Sequence, residues 1–210
     1  MNVLVVKANN RPDGISTKMY ETFLDNIKAT EDVKVSTYDL FSEDMPYLGQ
    51  ELFTALGKIQ EGVTLNDDEQ RLMDAKQKAK DAISAADVVV IAFPLWNFTI
   101  PAKLQTFVDY VAEAGFSFKY TENGPVPLME NKRVILLNAR GGNYSDPAMA
   151  PMEMSMSYMK NVFAGFFGMQ LKDEVIIEGH NANPDKADEI VQEGLEKVAA
   201  SASNLTYQNA

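Results

Sequence analysis

The chain has 210 residues, 46% of them hydrophobic, which suits one domain with a sizeable core. It has no cysteine, which excludes disulfides, thiolate catalysis and cysteine-based zinc sites and fits a cytoplasmic protein; the single histidine, His180, cannot build a histidine-rich metal site alone. A formal net charge of −11 would repel a phosphate backbone, which argues against nucleic-acid binding.

The N-terminus passes from Met1 and Asn2 straight into Val3, Leu4, Val5 and Val6, a short apolar strand, so no signal peptide is expected. No apolar run approaches the ~18 residues that a membrane span needs. A polar loop carrying Asn9, Asn10, Ser16 and Thr17 follows, and then Met19, Tyr20, Phe23, Leu24 and Ile27 recur as one face of a helix. Strand, loop and helix in this order open a doubly wound α/β fold. Residues 33–38 alternate and predict a second strand, near a sheet edge because one face is polar. Over 39–66 the pattern breaks down. Phe41, Met45, Tyr47, Leu48, Phe53, Leu56 and Ile59 are apolar without a clean period, as in a long functional connection or a local satellite cluster. Asn66 and the acidic residues after it supply an N-cap and first turn for a helix to about Ser84, with Leu72, Met73, Ala75, Ala79 and Ile83 facing inward.

Val88, Val89, Val90, Ile91, Ala92 and Phe93 form an unbroken apolar run, the mark of a strand buried on both faces in a parallel sheet. Pro94, having no N–H, is expected to stop its ladder, and Pro101 to open the next helix, whose inner face is Leu104, Phe107, Val108 and Val111. The loop between them lies at the carboxyl end of a buried strand, where open α/β sheets bind ligands. It offers an indole, an amide and a phenyl ring but no charge. That suits a flat, partly polar ring system better than a phosphate; the alternative is an ordinary loop with two core aromatics.

After a helix ending near Ala114, aromatics alternate around Asn123-Gly124 and predict a small hairpin within 115–127. A buried strand over 133–139 runs into Arg140, Gly141, Gly142, Asn143 and Tyr144. A Met- and Phe-rich helix over 152–167, a last strand over 175–177 and an amphipathic helix over 184–203 complete the chain. No boundary divides 1–210, which predicts a single domain. The economical fold is α/β: a flavodoxin-like, doubly wound, five-stranded parallel sheet of order 2-1-3-4-5 with helices on both faces. The loops after strands one, three and four then converge on one edge.

The first of these loops has neither G-x-x-x-x-G-K-[ST] nor G-x-G-x-x-G, so NTP binding and the usual dinucleotide fingerprint are unsupported. Asn9, Ser16 and Thr17, with the free N–H groups at the helix start around Ile15, can hold a phosphate; the alternative is that Ser16 only caps the helix. The paired glycines after strand four let backbone N–H groups approach a ligand, or permit a tight turn. Phosphate donors, a ring platform and backbone donors together point to a mononucleotide such as FMN.

Four blocks, in order, carry a resemblance over nearly the whole chain: Pro94-Leu95-Trp96-Asn97-Phe98 with Pro101, Phe118-Lys119-Tyr120-Thr121-Glu122-Asn123-Gly124-Pro125, Ala139-Arg140-Gly141-Gly142, and Glu178-Gly179-His180-Asn181. In these the sequence closely resembles the FMN-dependent NADH:azoreductases, which are also quinone reductases. The resemblance implies bound FMN, NADH or NADPH as donor, and ping-pong hydride transfer through the flavin N5 with no catalytic side chain. It implies two-electron reduction of quinones to hydroquinones and cleavage of aromatic azo compounds to amines. By it, Pro94, Leu95, Trp96, Asn97 and Phe98 line the flavin ring, and Ala139, Arg140, Gly141, Gly142 and Tyr144 its other edge. Asn9, Ile15, Ser16 and Thr17 would hold the ribityl phosphate. The family often has Ser-x-Ser entering the first helix; here only Ser16 is kept, and Asn9 stands where some relatives have Ser. It further implies a homodimer with the flavin at the subunit interface, Tyr120 and Phe163 on the substrate side, and small flat aromatic acceptors; composition and charge add the expectation of a cytoplasmic protein with no metal, membrane or nucleic acid. The competing reading is a flavodoxin-like FMN electron carrier with an acidic docking surface, against which the 39–66 and 115–127 segments stand as added walls around a ligand.

Overall fold

The computed structural model describes residues 1–28 and 32–207. Five parallel strands, β1 (Asn2–Lys7), β2 (Lys34–Asp39), β3 (Val88–Pro94), β6 (Arg133–Arg140) and β7 (Gln170–Glu178), hydrogen-bond in the order β2-β1-β3-β6-β7. A separate antiparallel hairpin, β4 (Phe118–Thr121) and β5 (Gly124–Pro127), lies between β3 and β6 in sequence. The sheet order is the expected one.

Strand residues alternate between two cores, because successive side chains leave a strand on opposite faces. Leu4, Val6, Val89, Ile91 and Phe93 pack with Leu72 and Ile83 of α3 (Asp67–Ala85) and with Leu104 and Phe107 of α4 (Ala102–Val111). Val3, Val5, Val88, Val90 and Ala92 pack with Met19, Phe23 and Ile27 of α1 (Ile15–Ile27) and with Val198 and Ala202 of α6 (Ala187–Tyr207). Each fully buried Leu or Phe among them contributes about 1.5–3 kcal/mol by area removed from water. All seven residues of β3 are buried, whereas β2 buries only Tyr38, as an edge strand should.

Several local expectations are corrected. Pro94 does not stop the ladder: it pairs in register with Ala139, and Leu95 N–H donates to the Ala139 carbonyl at 2.8 Å. The missing N–H falls on the β1 side, where pairing has already ended at Lys7↔Ala92, so no ladder bond is lost. Pro101 is the N-cap of α4, not its first helical residue, so the helix starts one residue later than expected, and it ends at Val111. Part of the 39–66 segment is a helix, α2 (Gln50–Glu61). It buries Leu52 and Ala55 but leaves Phe53, Leu56 and Ile59 exposed, although Leu52, Ala55, Leu56 and Ile59 recur at the spacing of one helical face. β7 is longer than expected, because its first half is polar edge strand, with a bulge that skips Lys172. The Met- and Phe-rich stretch is not one helix: a 3-10 turn at Ala150–Met152 and α5 (Ser155–Met159) run into a π-helical segment, Lys160–Phe166.

The hairpin is seated by that last segment. Phe118 packs on Phe166 with ring centroids 4.5 Å apart. Gly168 has φ +81°, and a Cβ there would lie 2.6 Å from Pro127 Cβ, so only glycine lets the hairpin come this close. The α3 start is a capping box, Asn66 accepting from Glu69 N–H and Glu69 from Asn66 N–H.

Candidate functional site

Since all five sheet strands are parallel, their carboxyl ends share one edge, and a cleft of about 370 Å³ opens there. One wall is the loop after β1 and the first turn of α1. Asn9 is 2% exposed and acts as a strut: its Nδ2 donates to Ser16 Oγ at 2.8 Å, and its Oδ1 accepts from Arg11 N–H at 3.0 Å. Gly14 must be small, because a Cβ there would sit 2.4 Å from Asn9 Nδ2. Gly14, not Ser16, is the N-cap of α1, so the capping alternative for Ser16 is overturned. Ser16 Oγ accepts from Asn9, which frees its own proton for donation into the cleft. The N–H groups of Ile15 and Ser16, in the helix's first turn, lack an intrahelical acceptor and add two more donors. Arg11 lines the same wall, paired with Asp13 at 3.1 Å.

The opposite wall comes from the loop after β3. Trp96 and Thr99 exchange two backbone hydrogen bonds, 2.9 and 3.1 Å. The residues between them, Asn97 and Phe98, have φ 48° and 71°. This is the two-residue hairpin turn with both central residues at positive φ, an arrangement that favours Asn-Gly and here carries Asn-Phe. It holds Phe98 out, 37% exposed, while the Phe98 carbonyl accepts from Met154 N–H at 2.9 Å. Pro94, Leu95 and Trp96 line the cleft. Asn97 and the other side of Trp96 line a neighbouring hollow of about 670 Å³ with Phe41 and Tyr47.

The floor joins the loops after β6 and β7. The Gly141 carbonyl accepts from Asn181 N–H (3.0 Å) and Ala182 N–H (3.3 Å), and the Gly142 carbonyl from Gly179 N–H (3.1 Å). A Cβ on Gly141 would lie 2.3 Å from Asn181 Nδ2. Gly141 is thus required by the neighbouring loop. Neither Gly141 nor Gly142 has a positive φ, and Tyr144 packs its ring over Gly142. Arg140 turns away from the cleft: 6% exposed, it bonds Asn138 Oδ1 at 2.6 Å and pairs with Glu178 at 3.4 Å and Glu153 at 3.9 Å. Glu178 in turn accepts from the N–H groups of Tyr144 (3.0 Å) and Ser145 (3.2 Å).

The cleft thus gathers Asn9, Ile15, Ser16, Pro94, Leu95, Trp96, Ala139 and Gly141 from the expected set. It does not gather Thr17, whose hydroxyl donates to the Arg11 carbonyl, or Arg140, both of which are buried supports. Asn97, Phe98, Gly142 and Tyr144 flank it. Tyr120 stands on the hairpin, 73% exposed and away from the cleft. Phe163 is fully buried against Phe167, at 5.3 Å between centroids, and reaches no cleft surface within one chain. Arg11, Asp13, Gly14, His180 and Asn181 also line the cleft and were not expected. The parallel order itself carries the signal for the last two: β7 neighbours β6, so its following loop must reach the same edge. His180 is half-buried, and burial lowers its pKa below 6.5.

One end of the cleft therefore offers donors to an anion, and the other offers an indole and apolar groups to a flat ring. Among the described residues no group of three or more His, Cys, Asp or Glu side chains is placed to hold a metal, and no helix is long and apolar enough to cross a membrane.

Comparison with known proteins agrees with this chemistry. A family model described as flavodoxin-like fold matches residues 1–202. The chain is 48% identical over 199 residues, 93% of itself and 95% of the relative, to FMN-dependent NADH:quinone oxidoreductase 1 of Bacillus subtilis (strain 168). Among solved structures it is similar to an azoreductase from Bacillus anthracis str. Sterne, with TM-score 0.88 and 44% identity over 97% of this chain and 99% of that one. It is also similar to an FMN-dependent NADH-azoreductase from Bacillus anthracis str. Ames Ancestor in complex with FMN, with TM-score 0.87 and 27% identity over 97% and 98% of the two chains.

Proposed function

The chain belongs to the flavodoxin-like family that includes the FMN-dependent NADH:quinone oxidoreductases, and on that premise we propose that it binds FMN in this cleft and uses NADH to reduce quinones and azo compounds. The observation that carries the reading is the two-ended cleft. Ser16 Oγ–H and the first N–H groups of α1 suit a phosphate without a lysine, and the Leu95-Trp96 wall suits a tricyclic ring. Arg11 adds positive charge to that end, partly neutralised by Asp13. When bound, FMN supplies the two-electron relay between nicotinamide and acceptor. The protein binds, orients and shields. The Trp96–Thr99 hairpin and its bond to Met154 hold the ring wall rigid. The bonds from Asn181 and Ala182 N–H to the Gly141 carbonyl keep the loops after β6 and β7 together, and Glu178, tied to Arg140, pins the Tyr144 N–H that continues the floor. Reducing a quinone to the hydroquinone consumes one NADH and one proton; cleaving an azo compound to two amines consumes two of each.

The protomer works as one domain within a cytoplasmic homodimer in this reading. Exposed Tyr120, Met149, Met152, Met154 and Phe166, together with Phe98 beside the cleft, leave more apolar surface than a free monomer usually shows. A second copy over this face would bring Tyr120 toward its partner's acceptor site. Full-length protein with NADH and menadione, and no added carrier protein, is expected to oxidise NADH steadily and to release FMN on denaturation. Release of FAD, or no NADH oxidation by flavin-loaded protein, would refute the proposal.

A further inference from the structure

The chain's one imidazole sits in this cleft with an unusual hydrogen-bond state. His180 Nδ1 is buried and has no hydrogen-bond partner among the described residues. Nε2 also makes no bond within the chain among those residues, but it is not buried, and the ring lines the cleft. A buried N–H without an acceptor is rarer and costlier than a buried lone pair without a donor. The ring proton therefore belongs on Nε2, the nitrogen left to face the cleft. Protonating Nδ1 as well would bury a second N–H with nothing to receive it, in line with the lowered pKa that burial produces.

The position of His180 says which end of a ligand it meets. It lies on the loop that leads from β7 into α6, and α6 packs against α1 through Met19, Phe23, Val198 and Ala202. The loop before α6 and the first turn of α1 are therefore neighbours, on the anion-binding side of the cleft. Asp13, the one carboxylate lining the cleft, is engaged by Arg11.

From this we infer that His180 donates a hydrogen bond from Nε2 to an oxygen of the ribityl phosphate of bound FMN. The inference rests on the FMN reading above and adds a binding residue to it, partner to Ser16 and the α1 N–H groups. It accounts for a phosphate grip built with one serine at the helix entrance.

Two measurements on the full-length protein test it. The first is the FMN dissociation constant, from recovery of flavin fluorescence on dilution. His180→Leu, which keeps bulk but has no donor, is expected to raise it about tenfold, the scale of one hydrogen bond to a charged acceptor. His180→Gln, whose amide can donate from a similar place, is expected to stay within about threefold of the parent. The second is the ¹⁵N spectrum of histidine-labelled protein, which needs no assignment because the chain has a single histidine. It is expected to show the Nε2–H tautomer, with the Nε2 resonance moving when FMN is removed; a purely structural imidazole would not move. An Nδ1–H tautomer, His180→Leu holding FMN as tightly as the parent, or His180→Gln no better than His180→Leu would each overturn the inference and leave the function standing. Parent protein that neither carries nor takes up FMN would overturn the function, and this inference with it.

Discussion

Phe98 occupies a turn position that ordinarily selects glycine, so replacing it should reverse a familiar stability order. With φ 71° next to Asn97 at 48°, it sits in the left-handed region. For a residue with a Cβ this conformation costs about 1–2 kcal/mol. Alanine normally beats glycine by about 0.4–1 kcal/mol, because glycine gains more freedom on unfolding. Phe98→Ala removes the ring's contacts but keeps the strain; Phe98→Gly removes the same contacts and the strain. Loss of the partly buried ring therefore cancels between the two variants. The strain outweighs the entropy term, so Phe98→Gly should be the more stable by about 0.5–1 kcal/mol, or about 2 °C in melting temperature for a chain of this size. Urea unfolding of both variants, stripped of flavin so that ligand binding does not contribute, measures the difference. Both should lose catalytic efficiency toward menadione to a similar degree, since both lack the ring beside the cleft. Phe98→Ala equal to or more stable than Phe98→Gly would show that the turn is not strained as described.

Gly141→Ala places a methyl group against the Asn181 amide, so it should cost about 1 kcal/mol, and the double variant with Asn181→Ala should recover most of it in the same urea assay. Arg140→Met strands the carboxylates of Glu178 and Glu153, both largely buried, and should cost about 3 kcal/mol; adding Glu178→Gln should return part of that stability, and no recovery would mean the pair is not coupled. Burial works to raise the Glu153 pKa, but bonds from the Ser155 hydroxyl and the Met156 and Ser155 N–H groups, with the Arg140 charge, hold it below the usual 4.5. Its stabilisation is then complete above the unfolded-state pKa and is lost as pH falls through the folded value. Glu153→Gln should accordingly narrow the stability gap between about pH 7 and about pH 3, and an unchanged gap would refute the assignment.

Much of the architecture was legible in the chain because its signals are local. A run such as residues 88–93 is buried on both faces wherever it sits, and once five strands alternate with helices, short right-handed crossovers leave few sheet orders. The same logic put the loops after β1, β3 and β6 at one edge, and eight residues of the expected site do meet there. What the chain could not show is what stands opposite each side chain. α2 carries a stripe of its own, Leu52, Ala55, Leu56 and Ile59 at i, i+3, i+4 and i+7; what the chain could not show is that only Leu52 and Ala55 of it are covered. Ser16 could be placed at a helix start, but only the Asn9 amide folded onto its oxygen shows that its proton is free. Arg140 and Gly141 are adjacent in sequence. Yet Arg140, the last residue of β6, turns into a network with Glu153 and Glu178, while Gly141, the first residue of the loop, meets Asn181. The strain at Phe98 needs Met154 from a distant segment to hold the turn, and the state of His180 depends on which nitrogen the folded chain covers. Period and composition are properties of a segment and survive without the rest of the molecule. A hydrogen-bond partner, a buried charge or a close approach is a property of two segments, and it exists only after the tertiary fold has brought them together.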